Sequence, residues 1–255
     1  MTRKYLMVGN WKMNQTLSEI DTFFKTLNEV GVKYSCDMKI GIAPQAMHLS
    51  TCLNKIGTTD IVIGSQTCSE YEGGAYTGEL APKALKELGC GFTLIGHSER
   101  RTIYGETDKE INAKTANALS SDLDVILCIG ETLEEREAGK TIEVVMSQLE
   151  GALTKGEKAI EFTGNQLTIA YEPVWAIGTG KTASPEQAEE VHAEIRKFLK
   201  ATYGDAGQDI FILYGGSVKP ANVKELLAQP NIDGGLVGGA SLEAESFAAL
   251  CNATK

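Results

Sequence analysis

Eight short apolar runs, separated by stretches of helical period, constrain this chain more than any other feature. They are YLMVGN from Tyr5, MKIGIAP from Met38, DIVIGSQ from Asp60, FTLIGH from Phe92, LDVILCIGE from Leu123, LTIAYEP from Leu167, DIFILYGG from Asp209 and IDGGLVGG from Ile232. Each is rich in Val, Ile, Leu or Phe and mostly unbroken by charge, as a strand covered on both faces must be. The clearest helix between them is SPEQAEEVHAEIRKFLKATYG. Ser184 fits its N-cap, Pro185 the first helical position, and Gln187 completes a capping box. Ala188, Val191, Ile195, Phe198 and Leu199 form one apolar stripe, and Gly204 is a stop. Thr107 with Glu110 repeats the box before Ile111. Strands alternating with helices pair in parallel through right-handed crossovers, giving either an open doubly wound sheet or a closed (β/α)8 barrel. The count of eight, the length of 255 residues and the absence of a linker favour an α/β TIM barrel, with 1–255 as a single domain.

The strand ends carry the chemistry. Asn10 and Lys12 follow the first run, Gln66 the third, His97 and Glu99 the fourth, Glu131 the fifth and Glu172 the sixth. Gly215–Ser217 and Gly238–Gly239 follow the last two. In a barrel all of these converge on one rim, where active sites are built. The spacing therefore predicts one site holding a carboxylate base, an imidazole, a lysine and phosphate-friendly glycines.

The segment YEPVWAIGTGKTAS contains GTGKT, a fragment of a nucleotide-binding phosphate loop. A Walker-type loop needs glycine five residues before Gly180, and Trp175 stands there. Its helix should also begin at the Lys-Thr, whereas the best start here is Ser184. A lid over residues 173–183 fits better. Pro173-Val174-Trp175 makes a stiff arm, Ala176–Gly180 a small tip and Lys181-Thr182-Ala183 a return arm. Such a loop closes over a phosphate and excludes water. The plainer alternative is an ordinary surface loop, which the glutamate just ahead of it argues against.

The formal charge of −10 disfavours nucleic acid and anionic membranes as partners, but leaves room for a small anion bound locally. Six cysteines without CxxC or metal-ligand spacing read as buried reduced thiols, Cys128 in VILCIG among them. No stretch reaches the length of a membrane span, and the opening apolar run is too short for a signal peptide. A cytoplasmic protein is expected.

Six long motifs in order, GNWKMN at 9–14, GHSERR at 96–101, CIGETLEERE at 128–137, YEPVWAIGTGKTAS at 171–184, YGGSVKP at 214–220 and DGGLVGGASL at 233–242, resemble the triosephosphate isomerase family almost end to end. The resemblance implies cofactor-free interconversion of dihydroxyacetone phosphate and glyceraldehyde 3-phosphate through an enediolate. The residues suit that chemistry. Glu172 can move a proton between neighbouring carbons, and drying by a closed lid would favour its protonated form and so strengthen the base. His97, at the start of a short helix, would polarise the carbonyl as a neutral imidazole. Alone, a strand-end histidine is more often structural; His48 and His192, off the strand ends, are given no chemistry. Lys12 supplies fixed positive charge with Asn10 as a neutral donor beside it. Gly178 on the lid, Ser217, Gly238 and Gly239 offer donors to the phosphate. By resemblance, Glu99 holds Lys12, Ser98 contacts Glu172 while the lid is open, Trp175 docks the lid, and Tyr214 with Ser217 latches it closed. The family's third loop, here CSEYEGGAYTGELAP, enters a neighbouring subunit, so a homodimer is implied, with Thr77 near that subunit's Asn10 and Lys12. Thr67 stands where the family usually has Asn, and Tyr76 where it usually has Phe.

Rival readings are another sugar-phosphate isomerase or epimerase on this barrel, and an inactive binding protein. A metal enzyme would need converging ligands, and His97 is the only strand-end histidine.

Overall fold

The computed structural model describes residues 4–32, 38–57, 59–155, 158–177 and 182–253. The eight runs become β1 (Tyr5–Asn10), β2 (Met38–Ala43), β3 (Ile61–Ser65), β4 (Phe92–Ile95), β5 (Asp124–Ile129), β6 (Leu167–Tyr171), β7 (Phe211–Tyr214) and β8 (Gly234–Val237). Each pairs in parallel with its neighbours, and β8 returns to β1 to close the barrel, Leu6 opposite Gly234 and Gly9 opposite Val237. The seam is reinforced beyond the strands: Trp11 Nε1 donates to Ser241 O at 3.0 Å and Gln15 Nε2 to Leu242 O at 2.8 Å.

Alternation along each strand explains why the runs carry so little charge. Val8, Leu94, Ile126, Cys128, Ala170, Leu213 and Leu236 point into the bore. Met7, Ile95, Val125, Leu127, Ile169 and Ile212 point outward into the larger core beneath the helices. Both sets are buried, so neither face tolerates an unpaired charge.

The helix Pro185–Tyr203 begins with the Ser184–Gln187 capping box and ends at Gly204. Its stripe is buried except for the half-buried Phe198. Matching boxes start three more helices, Leu17–Val30 at Thr16–Glu19, Asp108–Ser120 at Thr107–Glu110, and Leu133–Glu137 at Thr132–Glu135. Each cap contributes about 1 kcal/mol. Strand starts moved slightly from the sequence reading. Asp209 closes a short helix, Ala206–Asp209, so β7 begins at Phe211. A small antiparallel hairpin, Thr154–Lys155 with Lys158–Ala159, was not foreseen, because two-residue strands show no apolar alternation.

Cys52, Cys68, Cys90, Cys128 and Cys251 are free and buried, and Cys36 lies outside the described residues. Burial pushes the Cys90 thiol up to about 11 and Cys68 up to about 12, so neither offers a thiolate at neutral pH. No helix among the described residues is long and apolar enough to cross a membrane.

Candidate active site

The C-terminal ends of β1, β4, β6, β7 and β8 meet around a cleft of about 330 Å³. Asn10, Lys12, His97, Glu172, Ser217, Gly238 and Gly239 all line it. Ser98, Glu99, Trp175 and Tyr214 are not part of that lining. Gly178 lies outside the described residues, as do the other residues of 178–181 within the expected lid.

Lys12 leaves β1 in the left-handed region, φ 51°, uncommon for a residue with a side chain. Two side chains hold it there. Asn10 Oδ1 accepts its N–H at 3.0 Å, and Gln66 Nε2 donates to its carbonyl at 2.8 Å and to Ala43 O at 2.9 Å. With Oδ1 so committed, the Asn10 amide keeps its NH₂ end for a ligand. Lys12 Nζ reaches Glu99 Oε1 at 2.6 Å. Gly238 comes close enough that a Cβ there would stand 3.7 Å from Lys12 Cε.

His97 caps the five-residue helix Ser98–Thr102, its Nδ1 accepting the Glu99 N–H at 3.2 Å. That bond requires a bare Nδ1 and places the ring proton on Nε2. Nε2 lies 3.0 Å from Glu172 Oε1, while the Ser98 N–H donates to Glu172 Oε2 at 3.0 Å. Glu172 itself is fixed through its backbone: its N–H donates to Ile129 O at 2.7 Å. A Cβ on Gly130 would fall 1.8 Å from the Glu172 carbonyl oxygen, so only glycine admits this approach of β5 to β6.

Electrostatics here differ from the sequence expectation. Burial pushes Glu172 up, but His97, the Ser98 N–H and Lys12 outweigh it, and the net direction is below 4.5. Burial pushes His97 down, and the Glu172 carboxylate reverses that, the net direction being above 6.5. The Glu172 carboxylate is thus stabilised in its ionised form by its own neighbours. A more basic Glu172 belongs to an arrangement in which it has left His97.

Glu131, noted in the sequence as a strand-end carboxylate without a role, is fully buried. It accepts from Tyr171 Oη at 3.0 Å and Trp175 Nε1 at 2.9 Å, with Arg136 Nη1 at 3.3 Å. The Arg136 guanidinium also lies 4.8 Å above the Trp175 ring. Glu131 O accepts the Val174 N–H at 3.0 Å, so one residue ties down both the strand end and the first arm of the 173–183 segment. Sequence reasoning also missed the apolar wall of Ile177, Val218 and Leu236. The alternation of β8 points Leu236 inward and could have revealed it.

A sequence model of the triosephosphate isomerase family matches residues 5–254. The chain is 50% identical to the triosephosphate isomerase of Chlorobium phaeobacteroides over 98% of its own length and 99% of that protein. It is 48% identical to that of Prosthecochloris aestuarii, covering 99% of each chain. For the enzyme of Herminiimonas arsenicoxydans the identity is 45%, over 98% of this chain and 99% of the other.

Proposed function

The chain belongs to the triosephosphate isomerase family, and on that premise we propose that Glu172 is the base that carries a proton between the two carbons of the substrate. The enzyme is an isomerase that interconverts dihydroxyacetone phosphate and glyceraldehyde 3-phosphate. The observation that carries the assignment is the 3.0 Å approach of His97 Nε2 to Glu172 Oε1 inside a cleft that also holds Lys12.

Substrate would enter between these groups and separate them. Glu172 then loses its imidazole partner, burial dominates, and the carboxylate becomes more basic where it is needed. It takes a proton from the carbon bearing the hydroxyl, and the electron pair left behind moves onto the carbonyl oxygen to form the enediolate. His97 Nε2–H donates to that oxygen and passes a proton between the two oxygens. The protonated Glu172 returns its proton to the neighbouring carbon, so atoms and charge balance without a cofactor. Lys12 offsets the developing negative charge, a fixed charge being worth more in a dry cleft than in water. Ser217, Gly238 and Gly239 offer donors to the phosphate on the β7–β8 side, where barrels commonly bind it.

The anchoring of its two arms supports the reading of 173–183 as a lid. Its first arm rests on Glu131 through Trp175, and Ala183 on its return arm is buried. Closure over the phosphate would remove water from the enediolate. Tyr214 and Ser217 would latch it closed, and Gly178 would complete the grip. Glu99 holds Lys12 forward, and Ser98 keeps Glu172 parked until substrate arrives.

The direct check is a coupled assay on chelator-treated, folded protein. Turnover of both triose phosphates is expected, and its absence in both directions would end this reading.

A homodimer in the cytoplasm completes the proposal. Met13 is 86% exposed, Ile103 71% and Tyr104 70%, an unusual display of apolar surface on the rim loops. Tyr76 stacks on Tyr71 with ring centroids 3.8 Å apart and planes 3° from parallel, stiffening the loop that carries Thr77. Thr67 accepts from Lys114 Nζ at 3.4 Å, a long contact. Sedimentation equilibrium should show a two-chain particle. Tyr76→Ala is expected to raise the dimer dissociation constant by about tenfold, as loss of a stacked aromatic pair would. An unchanged constant would detach the stack from dimer strength.

A further inference from the structure

We propose that Arg101 is a positioning residue for catalysis, holding the peptide units on both sides of His97; this rests on the reading of His97 given above. The helix Ser98–Thr102 has five residues, too few to persist on its own. Arg101, one residue from its end, reaches back to the start. Its backbone N–H donates to His97 O at 3.2 Å, and its Nε donates to Gly96 O at 2.8 Å. The carbonyl before the histidine and the carbonyl of the histidine itself are therefore gripped by one residue.

The same guanidinium is anchored from two other directions. Nη1 donates to Asp108 Oδ1 at 2.6 Å, at the first residue of the helix Asp108–Ser120. Nη2 donates to Cys128 O at 3.3 Å, on β5. Gly96 turns at φ +70°, and a Cβ there would stand 3.1 Å from Arg101 Nη2. Glycine both makes the turn and leaves space for the guanidinium. Three acceptors in fixed directions match the planar fork of arginine, which a lysine ammonium cannot copy.

Arg101 does not line the cleft, so any influence on the reaction passes through its neighbours. Those neighbours matter doubly. His97 Nε2 and the Ser98 N–H are the contacts to the two oxygens of Glu172. A drift of this one turn misplaces the acid and the resting position of the base together. The proposed phosphate donors, Ser217, Gly238 and Gly239, follow β7 and β8, away from the turn, so substrate holding is left intact. The signature is a loss in kcat with little change in KM.

The test measures kcat and KM, and the Ki of inorganic phosphate, for Arg101→Met, Arg101→Lys and Asp108→Asn, each alone and combined with His97→Gln. Arg101→Met should lower kcat by about 10- to 100-fold, the scale of a misplaced catalytic group. Arg101→Lys should lose nearly as much, and Asp108→Asn less. KM and Ki should stay within about twofold. In the His97→Gln background, adding Arg101→Met should cost several-fold less than it does in wild type, because the misplacement of the acid is already lost there and only the Ser98 contact to the base remains to be disturbed. Additive losses would overturn the proposal, as would a fall in melting temperature with kcat preserved. Should Arg101→Met fail to fold, Arg101→Lys and Asp108→Asn complete the same cycle. Full turnover in His97→Gln alone is a different result: it removes the role of His97, and this proposal with it.

Discussion

Glu172→Gln is expected to lower turnover of either triose phosphate by about 10³-fold, within the span of a positioned general base. The replacement has the same size and keeps an oxygen, so the fold around it should survive. Its hydrogen bonding cannot. Glu172 presents one oxygen to the Ser98 N–H and the other to His97 Nε2. Both partners are donors, since His97 Nδ1 is already occupied by the Glu99 N–H. A glutamine has one acceptor for two donors and must turn its NH₂ toward one of them. The local loss is about one hydrogen bond, roughly 1 kcal/mol, far less than the catalytic loss. Binding of inorganic phosphate should change little, because the donors proposed for it, Ser217, Gly238 and Gly239, follow β7 and β8, away from Glu172. Coupled assays in both directions, paired with a phosphate titration, check this. Turnover that survives the change would show that another group is the base.

The second large effect is expected at His97. His97→Gln should cost about 10²-fold in kcat, the loss seen when one aligned donor to a developing oxyanion is removed. Its pH dependence is more diagnostic than its size. Burial alone raises the Glu172 pKa, and the imidazole is the first of the groups that bring it below 4.5. Without that imidazole, burial has less opposing it, so the acid limb of kcat/KM should move to higher pH. Wild type measured on the same substrate removes the substrate's own ionisation from the comparison. Stability carries the same sign. A carboxylate whose folded pKa is depressed stabilises the protein fully above its unfolded value and loses that contribution as pH falls through the folded one. The stability gap between wild type and His97→Gln should therefore be present above about pH 4.5, narrow below it, and narrow again as pH rises through the raised His97 value above 6.5. An acid limb that stays put or moves down would contradict the pairing.

Much of this was legible in the sequence because the barrel translates strand position into spatial position. Asn10, Lys12, His97, Glu172 and Ser217 are far apart in the chain, yet each follows an apolar run, and closure brings them to one cleft. What could not be read was orientation. Nothing in GHSERR shows that the histidine ring faces the sixth strand, or that Arg101 folds back on Gly96. The lowering of Glu172 while it is paired with His97 could not be read for the same reason. Burial can be guessed from a lid, but the balance against His97 depends on a 3.0 Å contact. Glu131 was visible as a residue and invisible as an anchor, since apart from Arg136 its partners come from β6 and the segment beyond. The hairpin at 154–159 left no periodic trace.

The seam between β1 and β8 also sets an order of events during synthesis. Lys12 leaves the ribosome early, and Glu172 and His97 follow, but Gly238 and Gly239 lie near the end of the chain. Trp11 and Gln15 find their acceptors only at Ser241 and Leu242. A nascent chain that stops short of β8 holds His97 and Glu172 yet has an open edge and lacks the Gly238–Gly239 side of the cleft. Joining the two ends is the most non-local contact in the fold, and such contacts form slowly. If Gly238 and Gly239 grip the phosphate as proposed, emerging activity is a clock for the last step of folding, and partly made chains would have no means of consuming substrate.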